Sequence, residues 1–332
     1  MTSTEEIRRV SAALPTPRGP LSQAVIGGLA GAPGSAAFPA VHGDPLGEDV
    51  QLALQVCYEL HYRGFDGVDP DWEWDAELLR ARAGMERAFV SAIADRTVGG
   101  SDIDAELDAL LVEPVPAVGV SHHLRVAGEW WQMRELFAVR SIYHLKEADP
   151  HAWVIPRLRG RAKAALVAIE FDEFGGGRAD RAHSQLYADL LDAAGMSADY
   201  LHYLDHAPAC ALATVNIMSL FGLHRRWRGA LVGHLTAAEI TTGPSAARMV
   251  DALTQLDAEP PCVLFYSEHI EADAVHEQVM RHDVVGGLLE AEPELAADVT
   301  FGVQATNFLE QRLSDHLLDA WQAGRSSLRI AL

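Results

Sequence analysis

Cysteine is scarce: three in 332 residues, Cys57, Cys210 and Cys262, far apart and with no CxxC pair. An odd number cannot all pair within the chain and no spacing fits a thiolate metal site, so the expectation is a reduced cytoplasmic protein with buried thiols. Positive charge is also short, with 26 Lys and Arg against 47 Asp and Glu and a formal charge of −21. Such a surface repels phosphate backbones and anionic lipids, which excludes nucleic acid and membrane as expected partners. No uninterrupted apolar run reaches the roughly 18 residues of a membrane span, and the opening MTSTEEIRRV has acids where a secretory leader has bases. Strand signals are almost missing.

What the chain does have is helical spacing in an ordinary globular composition, 49% hydrophobic and 22% charged. Glycine and proline at Gly27, Gly28, Gly31, Pro33 and Gly34 break the first apolar stretch, so residues 1–45 are expected as a flexible, surface-draped arm. Residues 51–65 and 74–98 carry i, i+3, i+4, i+7 apolar rows and predict a helical pair within an N-terminal extension over 46–118. The polar, Pro-containing stretch 99–118 is the best internal boundary. Beyond it, residues 119–328 read as helix after helix: 122–147, 158–174, 179–195, 200–221, 224–240, 244–256, 260–289 and 293–323. Stops are expected at Asp149 and Pro150, Gly175 to Gly177, Gly195, Gly222, and Gly243 and Pro244. No repeat of solenoid length occurs, which leaves an all-α bundle.

The sharpest chemical feature is YSEHIEADAVHEQ, where His269, Asp273 and His276 stand at i, i+4 and i+7. On a helix the three fall within about 60° of arc, one stripe able to present two imidazoles and a carboxylate to a metal. A chain of this composition yields about 0.1 such triplets by accident, so a solvated or salt-bridged face competes with the metal reading. In IEFDEFGGGRADRAH, Glu173 closes one helix and His183 lies one turn into the next. Continuous helix would set these two about 15 Å apart, whereas the glycine break lets them face a common point. A plain helix stop and a surface acid, with Glu170 and Asp172 as neighbours, explain the same residues. Glu147 stands at the C-terminal end of an aromatic-rich helix and opposes its macrodipole, and Glu239 sits near the end of an apolar one; each needs a metal or a buried Arg to compensate.

Taken together these residues resemble the ligand set of the haem-oxygenase-like diiron oxidases and oxygenases, the iron-containing redox enzymes. That family's order, a Glu, a Glu ten residues before a His, a further Glu, then H-x3-D-x2-H, is matched by Glu147, Glu173, His183, Glu239, His269, Asp273 and His276. The separations, 26 residues from Glu147 to Glu173, 10 to His183 and 30 from Glu239 to His269, are similar to those of the amino-acid N-oxygenase branch. The resemblance implies a haem-oxygenase-like helical bundle over roughly 120–325 with two Fe(II) ions, Mn being possible, and O2 as co-substrate. Two ferrous ions would balance the four carboxylates Glu147, Glu173, Glu239 and Asp273. The implied activity runs through a peroxo-diferric intermediate to N-oxygenation, desaturation or C–C cleavage of a small amino-acid-derived or fatty-acid substrate, with an external electron donor possible. Some members use N-terminal helices for dimer contacts, which implies a homodimer.

Helix spacing places Leu186, Tyr187, Val232, Leu235, Thr236, Phe265 and Tyr266 within one or two turns of the metals, as candidates for the substrate pocket. His202 and His206 also stand at i, i+4, but no third ligand follows. Glu268 and Glu271 point away from the ligand stripe. Tyr58, Glu59, His61 and Tyr62 read as a helix packed on the main body, Trp130 and Trp131 as core, and Arg228 as too distant for the substrate. The competing reading is a non-catalytic metal- or haem-binding protein of the same fold.

Overall fold

Apolar residues at helical spacing become helices throughout. The computed structural model describes residues 12–113, 115 and 117–332, with the side chains of residues 271–274 outside that description. In chain order the helices are α1 (Pro20–Leu29), α2 (Glu48–Glu59), α3 (Ala76–Ala94), α4 (Ile103–Leu110), α5 (Val120–Ala127), α6 (Trp130–His144), α7 (Asp149–Ala152), α8 (Gly160–Glu173), α9 (His183–Ala193), α10 (Ala209–Leu223), α11 (Arg228–Gln255), α12 (Pro260–Val279), α13 (Gly286–Ala291) and α14 (Ala296–Gln322). An isolated bridge between Ala12 and Phe65 is the one β pairing among the described residues. None of the described helices is long and apolar enough to cross a membrane.

The α10 sequence ACALATVNIMSLFGL is apolar on every side, and the helix is accordingly buried nearly all round. Helix α2 packs against it, with the buried Asn216 amide donating to the Gln51 carbonyl and side chain. Helix α11 runs between α12 and α14, and α12 also packs on α9. A single apolar cluster extends from Leu21 to Leu328. The three cysteines are free and buried within it, as the sequence leads one to expect.

Several expected boundaries move. Residues 20–29, assigned to a loose arm, form α1 with Leu21, Val25 and Leu29 buried. Its N-terminus is capped from outside: the Asp49 carboxylate on α2 accepts from the backbone N–H groups of Leu21 (2.9 Å) and Ser22 (2.7 Å). The expected helix over 122–147 breaks at Gly128 and ends at His144. Residues 200–208 form turns ahead of α10, and α12 passes into a π-helical segment, Met280–Val285. The boundary stretch 99–118 itself carries α4. Pro244, read as a stop, lies inside the continuous α11. Packing on α12 and α14 outweighs the backbone bond that proline removes.

Helices α11 and α14 approach closely at two reciprocal glycines. A Cβ on Gly302 would collide with the Ala230 carbonyl, and one on Gly233 with the Val299 carbonyl. Gly302→Ala is therefore expected to cost about 1–3 kcal/mol by forcing the helices apart, seen as a lowered urea midpoint. Gly27→Ala, in a helix and facing open space, is expected to raise that midpoint slightly.

Candidate metal centre

Glu147 lies in the loop after α6, Glu173 is the last residue of α8, and His183 is the first of α9. Glu239 comes from α11, and His269 and His276 from α12. These six converge into two clusters. Ligand atoms of Glu147, His183 and His269 lie within 4.8 Å of one another, and those of Glu173, Glu239 and His276 do the same. The clusters adjoin, since His183 Nδ1 is 2.8 Å from Glu173 Oε2. Helix α12 continues through Asp273, whose side chain lies outside the described residues.

Local sequence explains the convergence. Gly175, Gly176 and Gly177 all take left-handed φ values of 75°, 63° and 83°, which reverse the chain between Glu173 and His183. Two 3-10 turns, Gly175–Gly177 and Ala179–Arg181, fill the space expected to begin a helix, so His183 opens α9 rather than sitting a turn inside it. On α12 the interval of seven residues, two helical turns, brings His269 and His276 to the same side.

Hydrogen bonds to the remaining ring nitrogens orient the imidazoles. His269 Nδ1 lies 2.7 Å from the Phe265 carbonyl; a carbonyl only accepts, so Nδ1 carries the proton and Nε2 faces Glu147 Oε1 at 3.7 Å. His276 Nε2 is 3.4 Å from Asp172, which leaves Nδ1 toward Glu239 (3.3 Å) and Glu173 (3.6 Å). His144 Nδ1 meets Glu147 Oε1 at 2.8 Å.

The electrostatics are those of crowded carboxylates sharing imidazole protons. Burial raises the Glu147 carboxyl, but His144 and then His269 outweigh it and hold the group well below the usual carboxylate range. Glu239 is pushed up by burial and by Glu173, against the opposing pull of His276. Burial lowers His276, yet Glu239 and Glu173 more than reverse this and set it at about 9; Glu173 likewise raises His183 over the effect of burial. Two adjoining sets of O and N donors, held this way by shared protons, fit divalent cations, which would replace those protons. No thiolate is among them, so the donor set is unlike that of a closed structural zinc site.

Three residues escaped the sequence reading. His144, three residues before Glu147, contacts Glu147, and Asp172, read as a surface neighbour, contacts His276. Glu170 is 3% exposed, and neither carboxyl oxygen has a hydrogen-bond partner among the described residues. Burial, then Glu173 and Glu239, push it up to about 9. Its place one turn before Glu173 on the same helix was the available signal.

Among the expected pocket residues, Tyr187 and Phe265 stand against the first cluster. The His144 ring lies 4.6 Å from Tyr187 and 5.1 Å from Phe265, and Phe265 lies 4.5 Å from His269. Tyr266 stacks toward Phe137, while Leu186, Val232, Leu235 and Thr236 are buried core side chains, the Thr236 hydroxyl closing on its own helix at Val232. Trp130 and Trp131 pack against the core half-buried. His206 meets the Ile330 carbonyl, His202 is exposed, Glu268 pairs with Arg181, and Arg228 pairs with Glu292. The Glu271 side chain lies outside the described residues.

The two buried carboxylate and imidazole clusters lie in an all-α bundle, and the family match identifies that bundle as haem-oxygenase-like. The chain belongs to the iron-containing redox enzyme family, whose match spans residues 134–311, more than half its length and all six converging residues. It is also similar to the nitrosourea synthase of Streptomyces achromogenes subsp. streptozoticus, 24% identical over 263 residues, 78% of this chain. Those residues match 50% of the relative, so the chain spans about half the length of that protein.

Protons held by His276 and Glu170 make a pH prediction. Both folded values, about 9, exceed the unfolded ones, so the metal-free folded protein binds more protons than the unfolded chain. The Glu170 contribution falls from about pH 4.5 upward and that of His276 from about pH 6.5, both through pH 9. Metal-free protein should melt at progressively lower temperature from pH 6 to pH 9, while affinity for Mn(II) rises over the same range as the protons leave; calorimetry and titration check the two trends.

Proposed function

We propose that this iron-containing redox enzyme is an O2-dependent non-haem diiron oxygenase acting on nitrogen in a small amino-acid-derived substrate. The observation that carries the reading is the pair of adjoining clusters, Glu147, His183 and His269 beside Glu173, Glu239 and His276. Each would hold one Fe(II), with Asp273 completing the set on the α12 stripe. Mn(II) suits the same donors. The similarity to nitrosourea synthase supports nitrogen as the atom oxidised, over desaturation or C–C cleavage.

Bound iron supplies the capacity to reduce O2. The chain does the rest. His269 turns Nε2 toward Glu147 because Nδ1 carries the ring proton and donates it to the Phe265 carbonyl. Glu147 is held in its ionised form, against its burial, by the His144 ring at 2.8 Å and by His269. Tyr187 and Phe265 form an aromatic wall that excludes water from the Glu147 side. Inserting one O atom of O2 into an N–H bond releases the other as water and consumes two electrons and two protons. An external electron donor is therefore part of the reading, together with a cytoplasmic homodimer joined through the N-terminal helices.

Anaerobic ferrous loading should give two irons per chain, and O2 uptake should be triggered by a member of a pool of amino acids and amines, but not by fatty acids. His276→Ala and Asp273→Ala should each remove one iron and reduce uptake at least 100-fold, whereas Glu271→Ala should do neither. Equal damage from all three, or bound iron with no uptake under any substrate, would overturn the oxygenase.

A further inference from the structure

Glu147 is the one converging ligand carried by a loop alone, and that loop is gripped by a segment far from it in sequence. Lys146, its neighbour, is 1% exposed, and its Nζ lies 3.0 Å from Oε2 of Glu59, which is fully buried at the end of α2. The same Oε2 accepts the Tyr200 hydroxyl at 3.0 Å. The Lys146 ammonium also stands 3.9 Å over the Tyr62 ring, and Tyr62 in turn stacks on Trp153 and meets Ser219 through its hydroxyl. One residue further on, Arg63 donates to the Leu145 carbonyl at 2.9 Å. Residues 59, 62 and 63 thus hold both residues that immediately precede Glu147.

We infer that this turn at the end of α2 is a clamp whose office is to position the metal ligand Glu147, with Glu59, Lys146 and Arg63 as positioning residues. Two observations separate this from ordinary core packing. A buried ion pair is a costly way to join two helices, since apolar residues of similar volume hold as well or better. What the pair adds is direction: it draws Lys146 toward α2 and α10, where the contacts of Tyr62 and Tyr200 are also made. Secondly, Ala148, on the other side of Glu147, has a φ of 72°, a conformation alanine keeps only where its surroundings enforce it. Glu147 sits between an anchored residue and a strained one. The family match begins at residue 134, so the anchoring groups at 59–63 come from outside it. The inference rests on the two-metal reading above.

The test uses the full chain and Mn(II), followed by electron paramagnetic resonance. Wild-type protein is expected to bind two Mn(II) with the coupled spectrum of neighbouring ions. Glu59→Gln, and the double variant Glu59→Leu with Lys146→Met that removes both charges together, should bind one Mn(II) at least tenfold more weakly and the other within twofold, converting the spectrum to an uncoupled six-line signal. Arg63→Gln alters a side chain on the surface and leaves the buried pair intact, so it keeps the fold; it should weaken the same ion about threefold. Folded variants with a coupled spectrum and both affinities within twofold of wild type would overturn the clamp. If neither Glu59 variant folds, Arg63→Gln alone decides, unchanged affinities again overturning it. Wild-type protein that takes up no Mn(II) would overturn the metal centre, and the clamp with it.

Discussion

Negative charge has been brought into the middle of an apolar bundle, and the rest of the structure answers to that. Glu147, Glu173, Glu239 and Glu170 occupy a space where carboxylates repel and water is nearly absent. Without a cation the arrangement persists only by keeping protons, on His276, His183 and Glu170, at pH values where free groups of these types would have lost them. A folded chain that spends stability on such a cluster maintains a site, in keeping with the general concentration of perturbed groups at functional centres.

Holding these groups together is a matter of rigid backbones meeting at short range. Helix α11 supplies Glu239 and α12 supplies both of its histidines, and the two helices pack along each other. Behind α11, the glycine contacts with α14 remove side chains where backbones touch, so α11 is backed by main chain rather than by adaptable rotamers. Only Glu147 and the glycine turn between Glu173 and His183 depend on non-helical backbone. The first is braced from α2, and the second by three successive left-handed residues.

The sequence carried the helical class, and it named six residues that the fold brings together, because apolar rows recur at 3.6 residues and two histidines of one helix stand seven residues apart. It misled wherever tertiary contact decides local structure. Gly27 and Gly28 looked incompatible with order, yet Asp49 on α2 caps the helix that contains them. Pro244 looked like a terminus, yet neighbours on two sides keep α11 continuous. The supporting groups His144, Asp172 and Glu59 were out of reach for a similar reason. Nothing in a residue's own neighbourhood tells that Lys146 will meet a carboxylate 87 positions away. Glu170 was visible but carried the wrong meaning, since an acid beside other acids reads as surface until its burial is known.

The three cysteines acquire a meaning from this setting. Burial pushes the thiols of Cys210 and Cys262 up to about 11 and that of Cys57 to about 12. At neutral pH on the order of one thiol in ten thousand, or fewer, is ionised, and the thiolate is the form that oxidants attack. A member of an iron-containing redox family thus keeps all three of its thiols in the form that oxidants attack least.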